Sequence, residues 1–344
     1  MIPKTVIPLP AFRVLQAEDR DWLEQTGTEQ QLAPGDVLIQ EGSPADCIYI
    51  LLSGKVIVSI SQSDSPEDQK IAECSAGEML GEMSLIDDRP PSATVKAIEP
   101  SHVLVIPKRS LQTKLALDAD FAARFYQEIA ITLSVRLRSL SKLLAESHII
   151  PGQALRKVLF VFAILNDNDI DWMTSQGRRE QVAAGTILIQ QGQPVEAVYI
   201  VLKGNLAVTF TTQVNGKSVE KEIARRASGE IVGEMSFVET GVASASIRCA
   251  ENSLLLALPQ DLLWEKLSRD RGFATRFYQA ISIALVDRLR EGLVQRGFGQ
   301  RAYNQDEMLS SDVEYEDEIA LDVLEQTLLA GTRFKWMINR LQGS

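Results

Sequence analysis

One block of sequence is written twice in this chain. The stretch Gly35-Asp36-Val37-Leu38-Ile39-Gln40-Glu41-Gly42 returns 150 residues later as Gly185-Thr186-Ile187-Leu188-Ile189-Gln190-Gln191-Gly192. Further on, Ile48-Tyr49-Ile50-Leu51-Leu52-Ser53-Gly54 matches Val198-Tyr199-Ile200-Val201-Leu202-Lys203-Gly204, and Phe121-Ala122-Ala123-Arg124-Phe125-Tyr126-Gln127 matches Phe273-Ala274-Thr275-Arg276-Phe277-Tyr278-Gln279. Similarity held over such distances means a duplicated domain. The 344 residues, 45% of them hydrophobic, suffice for two cores of ordinary size. The expected organisation is a first copy over 1–147, a second over 148–300, and a short extra segment over 301–344.

Within each copy, short runs of Val, Ile and Leu separated by glycine turns such as Ser53-Gly54 and Lys203-Gly204 predict antiparallel strands. Strands of this kind in series suggest a small barrel or roll. After them, Phe121 to Leu144 and Phe273 to Gly292 carry apolar residues at spacings of three and four, with charges between, so each roll should end in a long helix. Pro151-Gly152 stops the first helix, and Asp171-Trp172-Met173 echoes Asp21-Trp22-Leu23 at the start of the second copy. The expected fold class is mainly β with helices (α+β). It comprises two antiparallel, jelly-roll-like β-rolls, each with its closing helix, and a C-terminal amphipathic helix.

Several function classes are disfavoured by what the chain carries. A net charge of -11 opposes a sequence-independent grip on nucleic acid, which needs clustered Lys and Arg, so no DNA partner is expected. His102 and His148 are the two histidines, too few and too far apart for a metal cluster or a histidine base. The chain has neither a Gly-x-x-x-x-Gly-Lys stretch nor a Gly-x-Gly-x-x-Gly signature. No enzymatic activity, metal or cofactor is therefore expected. Cys47, Cys74 and Cys249 stand at unmatched points of the two copies and read as buried free thiols. Met1 to Pro10 lacks the apolar core of a signal peptide, and the longest apolar run, Val158 to Leu165, is too short to span a bilayer. A soluble, cytoplasmic protein is the expectation.

Between the last two strands of each roll lies the segment Gly81-Glu82-Met83-Ser84-Leu85, continuing to Val95, and its counterpart Gly233-Glu234-Met235-Ser236-Phe237, continuing to Ile247. With the rolls and closing helices around it, this arrangement resembles the cyclic nucleotide-binding domain family over residues 20–145 and 170–295. The resemblance is to the effector domains of catabolite activator protein and of protein kinase A regulatory subunits. It implies that the Gly-Glu pair opens a short helix whose amides face a cyclic phosphate. It also implies that Glu82 and Glu234 accept a hydrogen bond from the ribose 2'-hydroxyl; alternatively, a first-turn glutamate complements the helix dipole with no ligand. By resemblance the candidate ligand-binding residues in the first copy are Gly81, Glu82, Met83, Ser84, Arg89, Ser92, Ala93, Thr94 and Arg136. In the second copy they are Gly233, Glu234, Met235, Ser236, Ser244, Ala245, Ser246 and Arg288. The ligand implied is cyclic AMP or another cyclic nucleotide.

The family places an arginine nine residues after the glutamate, where its planar fork pairs with the phosphate. Pro91 and Ala243 stand there instead. A charged hydrogen bond contributes about 1.5 to 3 kcal/mol, so the loss should weaken phosphate binding by roughly one to two orders of magnitude. Arg89 is the nearest substitute cation in the first copy, while the second has Glu239 and Thr240 nearby. Arg136 and Arg288, at matching places on the closing helices, either reach the ligand from the other side or are solvated helix-face residues. Ser92, Thr94, Ser244 and Ser246 remain as neutral donors. On this reading the first copy is the better candidate for binding and the second is structural.

Leu133, Leu137, Leu140 and Leu144 form a short coiled-coil seam on the first closing helix. The seam either pairs two subunits in a homodimer or packs within the chain. In the tail, Asp306 to Glu318 is acidic and no helix-turn-helix is evident. From Glu316 to Leu341 an amphipathic helix is expected, with Ile319, Val323, Leu324, Leu328, Trp336 and Leu341 apolar, docked on the protein's own surface or in a partner's groove. The functional expectation is a non-catalytic regulatory sensor that binds cyclic nucleotide weakly or in altered form. It would signal through its closing helices to a partner protein, met by those helices or by the C-terminal helix. The alternative is a ligand-free scaffold of the same fold that mediates protein–protein assembly.

Overall fold

The computed structural model describes residues 12–62, 65–146, 160–214, 217–294 and 321–342. The first copy opens with α1 (Ala17–Thr26) and β1 (Thr28–Leu32), β2 (Val37–Ile39), β3 (Cys47–Ser53), β4 (Lys55–Gln62), β5 (Ser65–Ser75) and β6 (Met79–Leu80). It continues with α2 (Glu82–Asp87), β7 (Thr94–Ala97), β8 (Ser101–Pro107), α3 (Lys108–Leu117) and α4 (Ala119–Glu146). Two four-stranded sheets result, ordered β1-β8-β3-β6 and β2-β7-β4-β5. Among the described residues every strand pair is antiparallel. Leu51, Val56, Leu80 and Val103 meet in the core between the sheets.

The second copy repeats the plan. After α5 (Phe160–Ile164) and α6 (Asp167–Gln176) come β9 (Arg178–Val182), β10 (Ile187–Ile189), β11 (Ala197–Lys203), β12 (Leu206–Val214), β13 (Lys217–Arg226) and β14 (Ile231–Val232). Then follow α7 (Glu234–Glu239), β15 (Ser246–Cys249), β16 (Ser253–Pro259), α8 (Gln260–Arg269) and α9 (Arg271–Val294). The sheets are β9-β16-β11-β14 and β10-β15-β12-β13, the same orders as in the first copy. The expected α+β class with two antiparallel rolls is what the chain adopts. Cys74 and Cys249 are buried free thiols and Cys47 is a half-buried one.

The repeated Asp-Trp phrase and the closing helices are joined by matched contacts. Asp19 accepts a forked pair of bonds from Arg124 on α4 (2.6 and 2.8 Å), and Asp169 accepts the same pair from Arg276 on α9 (2.6 and 2.8 Å). Trp22 meets Phe121 edge-on at 5.3 Å between ring centres, as Trp172 meets Phe273 at 5.2 Å. Asp118 and Asp270 receive the Phe121 and Phe273 amides at 2.9 Å, and so cap the two long helices. Lys114 and Lys266 bond these caps and hold both carboxyls below the usual range. The short helices α3 and α8, which the sequence pattern did not predict, begin at the residues after Pro107 and Pro259.

Two compact units emerge. One takes in the first roll to Ile129, and the other runs from Ala130 through the second roll and the C-terminal helix. The division falls inside α4, and the expected boundary at 147 lies outside the described residues, as do His148 and the acidic stretch before the tail. Leu133, Leu137 and Leu140 are buried within the chain, and the Leu144 side chain is outside the description. The homodimer seam is thus corrected, since side chains already withdrawn from water present no surface to a second copy.

The tail helix α10 (Leu321–Gln342) packs on α5 and α6. Its buried face is Ala330, Phe334, Met337 and Leu341, with Phe334 5.0 Å from Phe162 between ring centres. Arg333 donates to Asp167 at 2.7 Å and to the Phe162 and Ala163 carbonyls at 3.1 Å each. Two members of the expected apolar stripe, Leu328 and Trp336, are exposed instead, because the residues spaced from Ala330 to Leu341 take the buried side. Ile319 and the side chains of Val323 and Leu324 lie outside the described residues.

The matched Asp-Arg forks give a direct test. Asp169→Ala removes both the partner of Arg276 and a bond to the Asn166 amide, so it should cost about 3 kcal/mol in chemical denaturation. A loss below about 1 kcal/mol would contradict the structural role assigned to the fork.

Candidate functional site

The segment singled out in each copy is built alike. Gly81 and Gly233 take left-handed backbone, with φ of 85° and 84°, a region that glycine enters without penalty. That turn points the next side chain inward. Glu82 is 1% exposed and Glu234 2%. A Cβ on Gly233 would stand 2.8 Å from the Ala197 carbonyl, and one on Gly81 3.2 Å from the Cys47 carbonyl, so both chains pass close to β-strand backbone. The six-residue helices α2 and α7 end at Asp88 and Thr240, the two non-glycine residues with positive φ among those described. Ser84 and Ser236 are buried, and the Ser84 hydroxyl has no hydrogen-bond partner among the described residues.

In the second copy Glu234 is paired. Arg288 reaches from α9 and donates through Nη1 to the Glu234 carboxylate and through Nη2 to the Ile231 carbonyl. Both side chains are withdrawn from water. Burial works against the Arg288 charge, but Glu234 and Glu230 outweigh it and hold the guanidinium above its ordinary range. A second buried arginine, Arg226 on β13, faces the same cavity. Burial, and then the like charge of Arg288, lower its pKa. The cavity is about 60 Å³ and is also lined by Val208, Met235, Ser236, Ala243, Ser244 and Ala245. At a threshold of about 10 to 15 Å³ for one water, it has room for a few waters.

The other candidate residues hold the segment in place. Thr94 accepts from the Gln40 side chain and the Glu41 amide, each at 3.2 Å. Ser246 does the same for Gln190 at 3.2 Å and Gln191 at 3.0 Å. Ser244 points at the Met235 sulfur, 3.9 Å away. Pro91 and Ala243 accept equivalent bonds from the Gly42 and Gly192 amides at 2.9 Å, yet only Ala243 can also donate, to Gln193. Met83, Ala93 and Ala245 are half-buried and Ser92 is buried.

Arg89, expected as a substitute cation, has its guanidinium 3.7 Å from Asp87 of the same turn, and its amide also bonds that carboxylate. Arg136 is half-buried on the part of α4 that belongs to the second unit, whereas Glu82 belongs to the first. Arg288 reaches the segment of its own unit. Sequence reasoning missed Arg226. Leu206 pairs with Arg226 where Val56 pairs with Cys74, so the charge has no counterpart in the first copy and no repeat marked it. The Gln40 and Gln190 contacts did leave a signal, since both stand in the first repeated phrase.

A further contact touches the far end of α7. Glu239 accepts from Ser134 Oγ and, at 3.0 Å, from Arg138 Nη2, both on the portion of α4 within the second unit. Arg138 also donates to the Val242 carbonyl at 3.4 Å. Among the described residues no group of three or more His, Cys, Asp and Glu could hold a metal ion, and no helix is long and apolar enough to cross a membrane.

Comparison with known proteins agrees with this architecture. The family described as cyclic nucleotide-binding domain matches residues 29–118 and 179–270, more than half of the chain. The chain is 24% identical over 257 residues to the cAMP-dependent protein kinase type II regulatory subunit of Drosophila melanogaster, covering 74% of this chain and 58% of that protein. It is 33% identical over 90 residues to a cGMP-dependent protein kinase of Eimeria tenella, covering 26% of this chain and 8% of the relative. The chain therefore spans 58% or less of the length of these relatives. A solved cyclic nucleotide-binding domain from Methylobacillus flagellatus is 24% identical, with a TM-score of 0.38, over 44% of this chain and 85% of that one.

Crowding at the two glycines sets an expectation. Gly233→Ala should destabilise its copy by about 1 to 3 kcal/mol, because left-handed backbone and a Cβ against a carbonyl act together. Gly81→Ala should cost less, its nearest carbonyl being farther away. Amide hydrogen exchange across α2 and α7 reads both; equal effects would contradict the assigned contacts.

Proposed function

This chain belongs to the cyclic nucleotide-binding domain family, and on that premise we propose that it is a non-catalytic regulatory module whose second segment signals through the first closing helix. The observation that carries this is the pair of bonds from Ser134 and Arg138 to Glu239. Any ligand that draws α7 toward its roll must move Glu239, and α4 is continuous from Glu146 back to Ala119. A shift of the segment therefore becomes a shift of a long helix. A partner protein would read that shift on the closing helices or on the exposed face of α10, where Leu328 and Trp336 stand. Localisation in the cytoplasm belongs to the same proposal.

Cyclic nucleotide is the proposed ligand class, bound weakly because Pro91 and Ala243 supply no charge and Arg288 already occupies Glu234. The same two features favour the second reading, a scaffold that kept the fold without the ligand. Calorimetry and thermal shift with cyclic AMP, cyclic GMP and cyclic dinucleotides separate the two. A site filled at a hundredfold excess over its dissociation constant gains about 2.7 kcal/mol. Saturable stabilisation that weakens in Glu82→Gln or Glu234→Gln supports the module, and silence at millimolar ligand leaves the scaffold.

The signalling step has its own test. Glu239→Ala removes an acceptor of charged hydrogen bonds worth about 1.5 to 3 kcal/mol. Ligand-dependent hydrogen exchange in α4 should then disappear while that of α7 persists. Unaltered exchange in α4 would overturn the route.

A further inference from the structure

We infer that the cavity between α6 and α10 is a docking site for an arginine side chain of a partner protein. The inference rests on reading α10 as a partner-facing element, and it is independent of any nucleotide. The cavity is about 390 Å³ and lies within the second unit, with Asp167, Ile170 and Asp171 on one wall and Thr332, Arg333 and Trp336 on the other. Ligand pockets commonly enclose roughly 300 to 1,000 Å³, so a long side chain fits with room to spare. None of its lining residues is shared with the cleft around Glu234.

The walls select a planar cation. Trp336 is exposed, whereas Trp22, Trp172 and Trp264 are half-buried, and its ring already carries a guanidinium, that of Arg340, 5.5 Å from the ring centre. The same guanidinium stands 3.6 Å from the Asp171 carboxylate, beyond the span of a charge-assisted hydrogen bond. With Arg340 and Asp171 58% and 55% exposed, this solvated contact contributes little and yields to an incoming cation. The chain thus shows on itself how ring and carboxylate receive a guanidinium. Arg333 is no competitor, because Asp167 and the Phe162 and Ala163 carbonyls hold it, while the Asp167 side chain remains 84% exposed. Once Arg340 is displaced, two carboxylates and one guanidinium line the cavity, which is left net negative. Arginine suits it better than lysine, since a guanidinium stacks on an aromatic face and gives up its water more readily. Leu328, Thr332 and Trp336 follow one another at spacings of four along one side of α10, and exposed Leu328 can cover an apolar neighbour of the partner's arginine.

Calorimetry on the full chain tests this with three capped tripeptides in which arginine, lysine or glutamate stands between two leucines. Expected is saturable binding of the arginine peptide, weaker binding of the lysine peptide and none of the glutamate peptide. Trp336→Ala and Asp171→Asn should each weaken the arginine peptide about threefold or more. Arg340→Ala clears the ring and should tighten binding about threefold, whereas Arg269→Ala, which removes an exposed charge from α8, should leave it unchanged. These side chains are all exposed, so the variants should fold, with α10 held by Phe334, Met337 and Leu341. Absence of binding by wild type, equal binding of the arginine and glutamate peptides, or binding that ignores both Trp336→Ala and Asp171→Asn overturns the inference. Equal tightening by Arg340→Ala and Arg269→Ala would mark a general attraction of the acidic chain for cations and overturns it too. Each of these results leaves any response to cyclic nucleotides standing, while peptide binding by a chain silent to every nucleotide supports the site and refutes the ligand class proposed above.

Discussion

Arg288 and Glu234 meet where water does not reach, and much of the second copy is arranged around that meeting. A carboxylate buried alone, or a guanidinium buried alone, costs several kcal/mol, so each requires the other in place. The left-handed turn at Gly233 directs Glu234 inward, and the second arm of Arg288 takes the Ile231 carbonyl at β14. One side chain therefore ties a closing helix to a strand and to the segment between them. Arg276, twelve residues earlier on α9, makes the other fixed point through Asp169. A helix pinned by two ion pairs moves as a unit or hardly at all.

The copies kept one fold and diverged in the chemistry of their clefts. Sheet order, helix caps, the Asp-Arg forks and the Gln40 and Gln190 contacts are the same in both. Cys74 against Arg226 and Pro91 against Ala243 are not, and each difference falls on a residue whose side chain is buried. Such positions have little freedom for packing reasons, so a swap from thiol to guanidinium at one register place changes the charge of an interior.

Much of the fold was legible because its signals are local. The 150-residue repeat, the alternating apolar runs and the long amphipathic helices each follow from spacing along the chain, and the two closing helices occur within two residues of the expected limits. The candidate site was only partly legible. The Gly-Glu phrases form two matched left-handed turns with buried glutamates, but Arg89 turned to Asp87 and the closing-helix seam was consumed by packing within the chain. The tail helix shows why. Leu328, Trp336, Phe334 and Met337 are all apolar, and periodicity alone does not say which neighbouring stripe meets α5 and α6.

By itself the sequence determined that there are two copies, that each is an antiparallel roll ending in a long helix, and that uncharged Pro91 and Ala243 stand nine residues after the two glutamates. Those properties depend on residue order and spacing, which any reader of the chain can measure. Only the tertiary structure decided that Arg288 reaches Glu234, that Arg226 joins it from a strand more than sixty residues away, and that Ser134 and Arg138 hold Glu239. Electrostatic partnership depends on distance through space and on the loss of water, and neither is written in the order of the residues.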